Sequence, residues 1–145
     1  MAVLSQPAAG FSADLAADLA DKQVQKRLSP AARKAFFKIA TAWRIRDEEA
    51  KQLLGGISNG AFYQLKSGES KTTLDQDRLV RVSLLVGIFK ALNALYSQKL
   101  ADAWISLPNS NPMFAGDTPM AYIVKGGQPA MMRVRQLLDA RRVAG

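Results

Sequence analysis

A chain of 145 residues, 48% hydrophobic and 22% charged, can form one domain or two small helical modules sharing a core, and is too apolar to be a disordered segment. It has no Cys and no His, which removes disulfides, thiolate metal sites, the usual general base and the Ser–His and Cys–His nucleophile pairs. A net charge of +8 favours polyanionic partners, with nucleic acid ahead of an anionic membrane surface.

The stretch before Phe11 has neither a basic n-region nor a long apolar run, so no signal peptide is expected. Within "FSADLAADLADKQVQKRL", Ser12 can cap a short helix with Leu15, Leu19 and Val24 on one side. Its charges cancel, and residues 1–28 read as a loosely attached, flexible arm. Ser29 as N-cap and Pro30 at the first helical position start the next helix, with Ala32, Phe36, Ile39, Ala40 and Trp43 on its buried face. A second helix starts near Asp47, with Glu48 and Glu49 in the turn where the helix dipole favours anions, and stops at "LLGG". Ser58 caps a third, "NGAFYQLKSG", which stops at Gly68 and is followed by a polar linker. From Leu74 a long helix carries Leu79, Val82, Leu84, Leu85, Val86, Ile88, Phe89, Leu92, Leu95 and Tyr96 on nearly every side. Such a helix must be covered on more than one side, as a spine between modules, a dimer seam or the core helix of a monomer. Gly87 in its middle costs about 1 kcal/mol relative to Ala, which close backbone approach can offset. The apolar run Leu84 to Phe89 is far short of the roughly 20 residues of a membrane span. Beyond Pro108, turn residues lead into a short helix "PMAYIV", a stop at Gly126-Gly127, and a last helix from about Pro129. There is no internal repeat and no strand-like alternation, so the expected fold is all-α.

The segment "LLGGISNGAFYQLKSG" has the pattern of a helix-turn-helix. Ala50 is small where the helices cross, Leu53 and Leu54 fill the core, and Ile57 precedes the N-cap Ser58. Phe62 and Leu65 then point inward. The turn is one residue longer than the commonest version, and Gly55 with Gly56 can absorb the addition. The outward positions are Asn59, Gly60, Tyr63, Gln64 and Lys66. Asn59 or Gln64 can read adenine through a bidentate amide, while Tyr63 and Lys66 suit base edges or phosphate. Ser58, Arg44 and Arg46 complete the candidate DNA-binding set, and Arg33, Lys34, Lys38 and Lys71 are nearby cations for the phosphate backbone. Residues 30–71 carry eight basic and four acidic side chains, hence +4 of the total +8. A three-helix bundle with a solvated polar face is the competing reading.

These residues, followed by the apolar helix and "NPMFAGDTPMAYIVKGGQPAMMRVRQLLDA", resemble the Xre/MbcA/ParS-type antitoxins over about residues 30–145. The most specific part is Asn111-Pro112, Phe114, Gly116 and Pro119, then Gly126-Gly127 and the final helix. The lengthened "LLGGIS" turn also occurs in that family. The resemblance implies a helix-turn-helix module joined by a long central helix to a small C-terminal toxin-binding module. Its segments are 1–28 (arm), 29–72 (DNA-binding), 73–107 (connecting and dimerisation helices) and 108–145 (toxin-binding). It further implies repression of its own operon at operator double-stranded DNA and neutralisation of a cognate RES-type toxin that acts on NAD. A homodimer within a larger toxin–antitoxin complex is the implied assembly. The candidate toxin-binding residues are Asn111, Pro112, Phe114 (as an anchor), Gly116, Arg133, Arg141, Arg142 and Gly145, the last three on a flexible tail that enters the toxin's site. A basic helix end that complements its own dipole is the alternative for Arg141 and Arg142.

A stand-alone helix-turn-helix repressor, with a C-terminal module for dimerisation, is the second functional reading. Catalysis is not expected, since Asp102, Asp117 and Asp139 form no convincing pair and "KGGQ" lacks the order of a phosphate loop. No cofactor, metal or membrane is expected, and the expected location is the cytoplasm.

Overall fold

The computed structural model describes residues 18–68 and 72–144; the expected Ser12 cap, Lys71 and Gly145 lie outside them. The fold is all-α, with no strand among the described residues. The helices are α1 (Lys22–Trp43), α2 (Asp47–Leu53), α3 (Asn59–Ser67), α4 (Gln76–Leu95), α5 (Gln98–Ala103) and α6 (Pro119–Ala144). Short 3-10 turns occupy Trp104–Ser106 and Pro112–Phe114. None of the described helices is long and apolar enough to cross a membrane.

The first helix starts earlier than Ser29 and Pro30 predict. Its N-cap is Asp21, whose carboxylate accepts from the backbone N–H of Gln23 (2.7 Å) and Val24 (3.4 Å). Ser29 and Pro30 therefore sit inside α1, and the boundary expected between residues 28 and 29 falls within one continuous helix. Pro30 has no backbone N–H to donate and is exposed on the helix. Ser29 is buried and works sideways: its hydroxyl donates to the Gln25 carbonyl (2.6 Å) and accepts from the Leu74 N–H (2.8 Å). That bond pins the chain just before α4 onto α1. Leu19 and Leu28 are buried too and join the same core.

The all-round apolar helix α4 is covered within its own chain. Leu79, Val82, Leu84, Leu85, Val86, Ile88 and Leu92 are buried against α1 on one flank and α6 and α5 on the other. One contiguous apolar cluster runs from Leu19 to Leu138, so the segments expected as separate modules share a single core. At Gly87 the close approach comes from a side chain, not a backbone: a Cβ there would lie 2.6 Å from Arg135 Nε. The expected stop near Gly126 appears as a kink in α6 at Gly127 (φ 66°, ψ −149°), a conformation suited to glycine. The Gln128 amide ties this region to α4 by donating to the Asp77 carboxylate, which also pairs with Arg81 within α4.

Ser29→Ala should leave the Leu74 N–H buried and unpaired, lowering unfolding free energy by about 1–3 kcal/mol. Urea denaturation checks this; an unchanged midpoint contradicts it.

Candidate functional site

The residues expected to face inward between α2 and α3 do so. Ala50, Leu53, Leu54, Ile57, Phe62 and Leu65 are all buried. The turn between the helices holds two consecutive left-handed residues, Gly55 (φ 87°) and Gly56 (φ 80°), whose N–H groups return to Gln52 (2.9 Å) and Lys51 (2.9 Å) carbonyls. The additional residue of the turn is thus absorbed by two positions that side chains would strain. Ser58 caps α3 by accepting from the Ala61 N–H (3.3 Å), and Gly68 (φ 77°) ends it.

Helix ends in this region are closed by arginines of neighbouring helices. Arg78 Nε donates to the Leu54 carbonyl (3.0 Å) and Arg81 Nη1 to that of Leu53 (3.4 Å), so α4 grips the C-terminal end of α2. Arg33 of α1 donates to the Leu65 and Lys66 carbonyls and closes α3 in the same way. Each places a cation at the negative end of a helix dipole. Arg33 is thereby tied to the end of α3. Lys34 and Lys38 lie on the other flank of α1, along a groove with Val86, Phe89 and Lys90 of α4, away from α3.

The exposed side of α3 carries Asn59, Gly60, Tyr63, Gln64 and Lys66 together, as expected. The N-cap Ser58 stands beside them. Arg44, in a left-handed conformation at the end of α1, lines a cleft with Asp47 and Lys66. Arg46 precedes Asp47 with its side chain 80% exposed and pairs with Glu49 (3.3 Å).

Two residues organise this face that the sequence reading did not assign to it. Asp47 accepts from Lys66 Nζ (2.9 Å) and from the Tyr63 hydroxyl (3.3 Å), linking the start of α2 to the length of α3. Lys51, its side chain only 9% exposed, donates to Glu48 (2.8 Å) and to Asn59 Oδ1 (2.6 Å) while lying over the Phe62 and Tyr63 rings. The Glu48–Lys51 spacing of three residues was the local signal for one of these bonds. On this face the exposed Gln64 amide makes no side-chain hydrogen bond to the described residues. Its carbonyl and amine are both available to a base edge, whereas one oxygen lone pair of Asn59 is held by Lys51.

The hydrogen bond from Lys66, with its charge, holds the Asp47 carboxyl below the ordinary carboxylate range despite desolvation. The hydrogen bond to Glu48 pushes the Lys51 ammonium above the usual lysine range.

The C-terminal candidates divide into builders and surface residues. Asn111 caps the turn at Pro112–Phe114 by accepting from the Met113 N–H (3.0 Å), and its own N–H donates to Asn109 Oδ1 (2.9 Å). Phe114 is 2% exposed, edge-on to Trp104 (6.2 Å) and Tyr122 (5.2 Å). It anchors the core and is not available to a partner, which corrects its place among the contact residues. Pro112 and Gly116 are exposed at the turn. Arg133 donates to the Tyr122 hydroxyl (3.2 Å), Arg141 to that of Tyr96 (3.2 Å), and Arg142 pairs loosely with Asp139 (4.0 Å). The expected flexible tail is also corrected: α6 stays helical through Ala144, with Val143 89% exposed on its last turn.

Because the Asp47 carboxyl is depressed, its stabilising contribution exists above the ordinary unfolded value and is lost as pH falls through the folded one. The stability gap between the wild type and Asp47→Asn should be full at pH 7 and shrink progressively below about pH 4. Urea denaturation at both ends of that range checks it, and equal gaps at both contradict it.

No family model matches the chain, and no solved structure matches it. It is similar to the uncharacterized protein y4oB of Sinorhizobium fredii (strain NBRC 101917 / NGR234), with 36% identity over 114 residues that cover 78% of this chain and 85% of that protein. Identity of that extent over most of both chains makes this protein a member of the same family as y4oB.

Proposed function

We propose that this protein is an antitoxin that binds operator DNA through a helix-turn-helix made by α2 and α3, and neutralises a toxin through its C-terminal region. The observation that carries the DNA-binding half is the division of α3. Phe62 and Leu65 are buried on one side, while Asn59, Gly60, Tyr63, Gln64 and Lys66 stand exposed on the other. A helix of this kind presents its N-terminal turns to the major groove. Gln64 is the base reader, through a bidentate amide to adenine. Lys66 exchanges Asp47 for a phosphate, and Arg44 and Arg46 add backbone contacts beside it.

The antitoxin half is supported by the resemblance of residues 111–138 to Xre/MbcA/ParS-type antitoxins and by the surface those residues leave open. Pro112, Gly116 and Arg133 are exposed, as is the end of α6 with Arg142 and Val143. The partner is a RES-type toxin acting on NAD, and a homodimer within the toxin–antitoxin complex is the proposed assembly. The helical end of α6 is the element offered to the toxin's site.

Gln64→Ala should cost about 1–3 kcal/mol of discrimination at one base pair, whereas Lys66→Ala should weaken binding to every sequence and lower the salt slope by about 1. Fluorescence anisotropy with DNA from upstream of the gene reads both. Unchanged affinity and salt dependence in the two variants overturn the DNA-binding reading. For the toxin, the product of the neighbouring gene should lose its NAD consumption when this protein is added. Deleting Arg141 to Gly145 should restore that consumption and leave operator binding intact. An NAD assay in which the truncated chain protects as well as the full chain rules out the α6 end as the blocking element.

A further inference from the structure

Helices α1 and α4 leave a groove of about 420 Å³ between them, on the flank of α1 away from α3. Its floor is apolar: Ala31 and Ala35 of α1, whose short side chains make the depression, and Val86 and Phe89 of α4. Ala31, Ala35 and Phe89 are only half-buried, so the floor is open to water. Three exposed lysines stand around it, Lys34, Lys38 and Lys90, and none has a hydrogen-bond or carboxylate partner among the described residues. An apolar floor under three unpaired ammonium groups fits an apolar segment that carries carboxylates and no cations. A second copy of the same groove would set six lysines against one another, and a nucleic-acid backbone would leave the floor wet.

The chain itself contains such a segment. Residues 1–17 lie outside the described part of the structure, and their sequence holds Val3, Leu4, Phe11 and Leu15, with Asp14 followed by Asp18. The first Lys or Arg of the sequence is Lys22, so this stretch is acidic within a chain of net charge +8. Its point of attachment suits the groove. The Asp18 carbonyl accepts from the Asp21 N–H (3.1 Å), and the Gln25 side chain holds the Leu19 carbonyl (2.7 Å). The chain therefore enters α1 through a turn and not along the helix axis. From Lys22 to Ala31 the helix advances about 14 Å, and the seven residues from Phe11 to Asp18 span up to about 23 Å.

We propose that residues 1–17 dock in the α1–α4 groove of their own chain. Phe11 and Leu15 cover the apolar floor, and Asp14 meets the lysines of the rim. Tethering supplies a local concentration on the order of 1 mM, so a docking Kd of about that size fills the groove roughly half of the time. The interaction does not rest on the antitoxin reading.

The chain has no Cys, so Ser12→Cys carries a nitroxide label at one position of the full chain. In a ¹⁵N-labelled sample, the oxidised label should broaden the amide signals of Ala31, Ala35 and Val86 and spare those of α3, by comparison with the reduced label. Phe11→Ser with Leu15→Ser, which leaves every residue of the described core in place, should remove that broadening. Lys34→Glu with Lys38→Glu, both at exposed positions, should weaken it. Broadening that is absent, that falls equally on α3, or that survives the Phe11 and Leu15 changes overturns the proposal. So does broadening seen only when spin-labelled chains without ¹⁵N are mixed with ¹⁵N chains without the label, which would place the segment on a second copy.

Discussion

The burial of α4 is the constraint on which the rest of the molecule depends. A helix with Leu79, Val82, Leu85, Ile88 and Leu92 at essentially zero exposure, and Leu84 and Val86 nearly so, has no solvent face to spare along its middle. At about 25 cal/mol per Å² of apolar surface, each such side chain contributes on the order of 2 kcal/mol, provided that partners cover it on every side. One partner helix leaves half of that surface wet. The chain therefore needs α1 and α6 at once, and the loops between them are arranged to supply both. The Ser29–Leu74 bond fixes the approach of α4 to α1, and Gln128 with Asp77 fixes that of α6.

From that spine the exposed hairpin takes its position. Arg78 and Arg81 emerge from the first turns of α4 and hold the last carbonyls of α2, while Arg33 of α1 holds those of α3. The same bonds alter the meaning of the net charge. Part of the excess of cations closes helix ends, and Lys51 and Lys66 face carboxylates at the start of α2. Exposed ion pairs of this type contribute at most about 1 kcal/mol each, so Lys66 is readily exchanged to another anion. Lys51, nearly covered and bonded to Asn59, is held far more firmly.

What was legible in the sequence is what local chemistry decides. The hairpin could be read because its glycines, its N-cap and the spacing of Leu53, Leu54, Ile57, Phe62 and Leu65 each constrain the backbone within a few residues. The kink at Gly127 was legible for the same reason. The start of α1 was misread because Ser-Pro is a good local start signal, and only the distant Leu74 N–H explains a buried serine in mid-helix. Asp21, the true cap, looked like one charge among several that cancel. Phe114 was read from its motif as a contact residue, but the rings that bury it come from Trp104 and Tyr122, ten residues before and eight after. The grouping of Asp47 with Tyr63 and Lys66 required the crossing of α2 and α3 to be known.

The hairpin and the C-terminal region form one cooperative body around α4. The two tryptophans report from two parts of the chain, Trp43 at the close of α1 and Trp104 after α5. Trp43→Phe and Trp104→Phe each leave a single fluorescent reporter. In urea, the fluorescence transition of each variant should overlay its own far-ultraviolet circular dichroism transition, with one midpoint and one slope. A fluorescence transition displaced from the dichroism curve in either variant would mean two separately folding modules and would contradict the account.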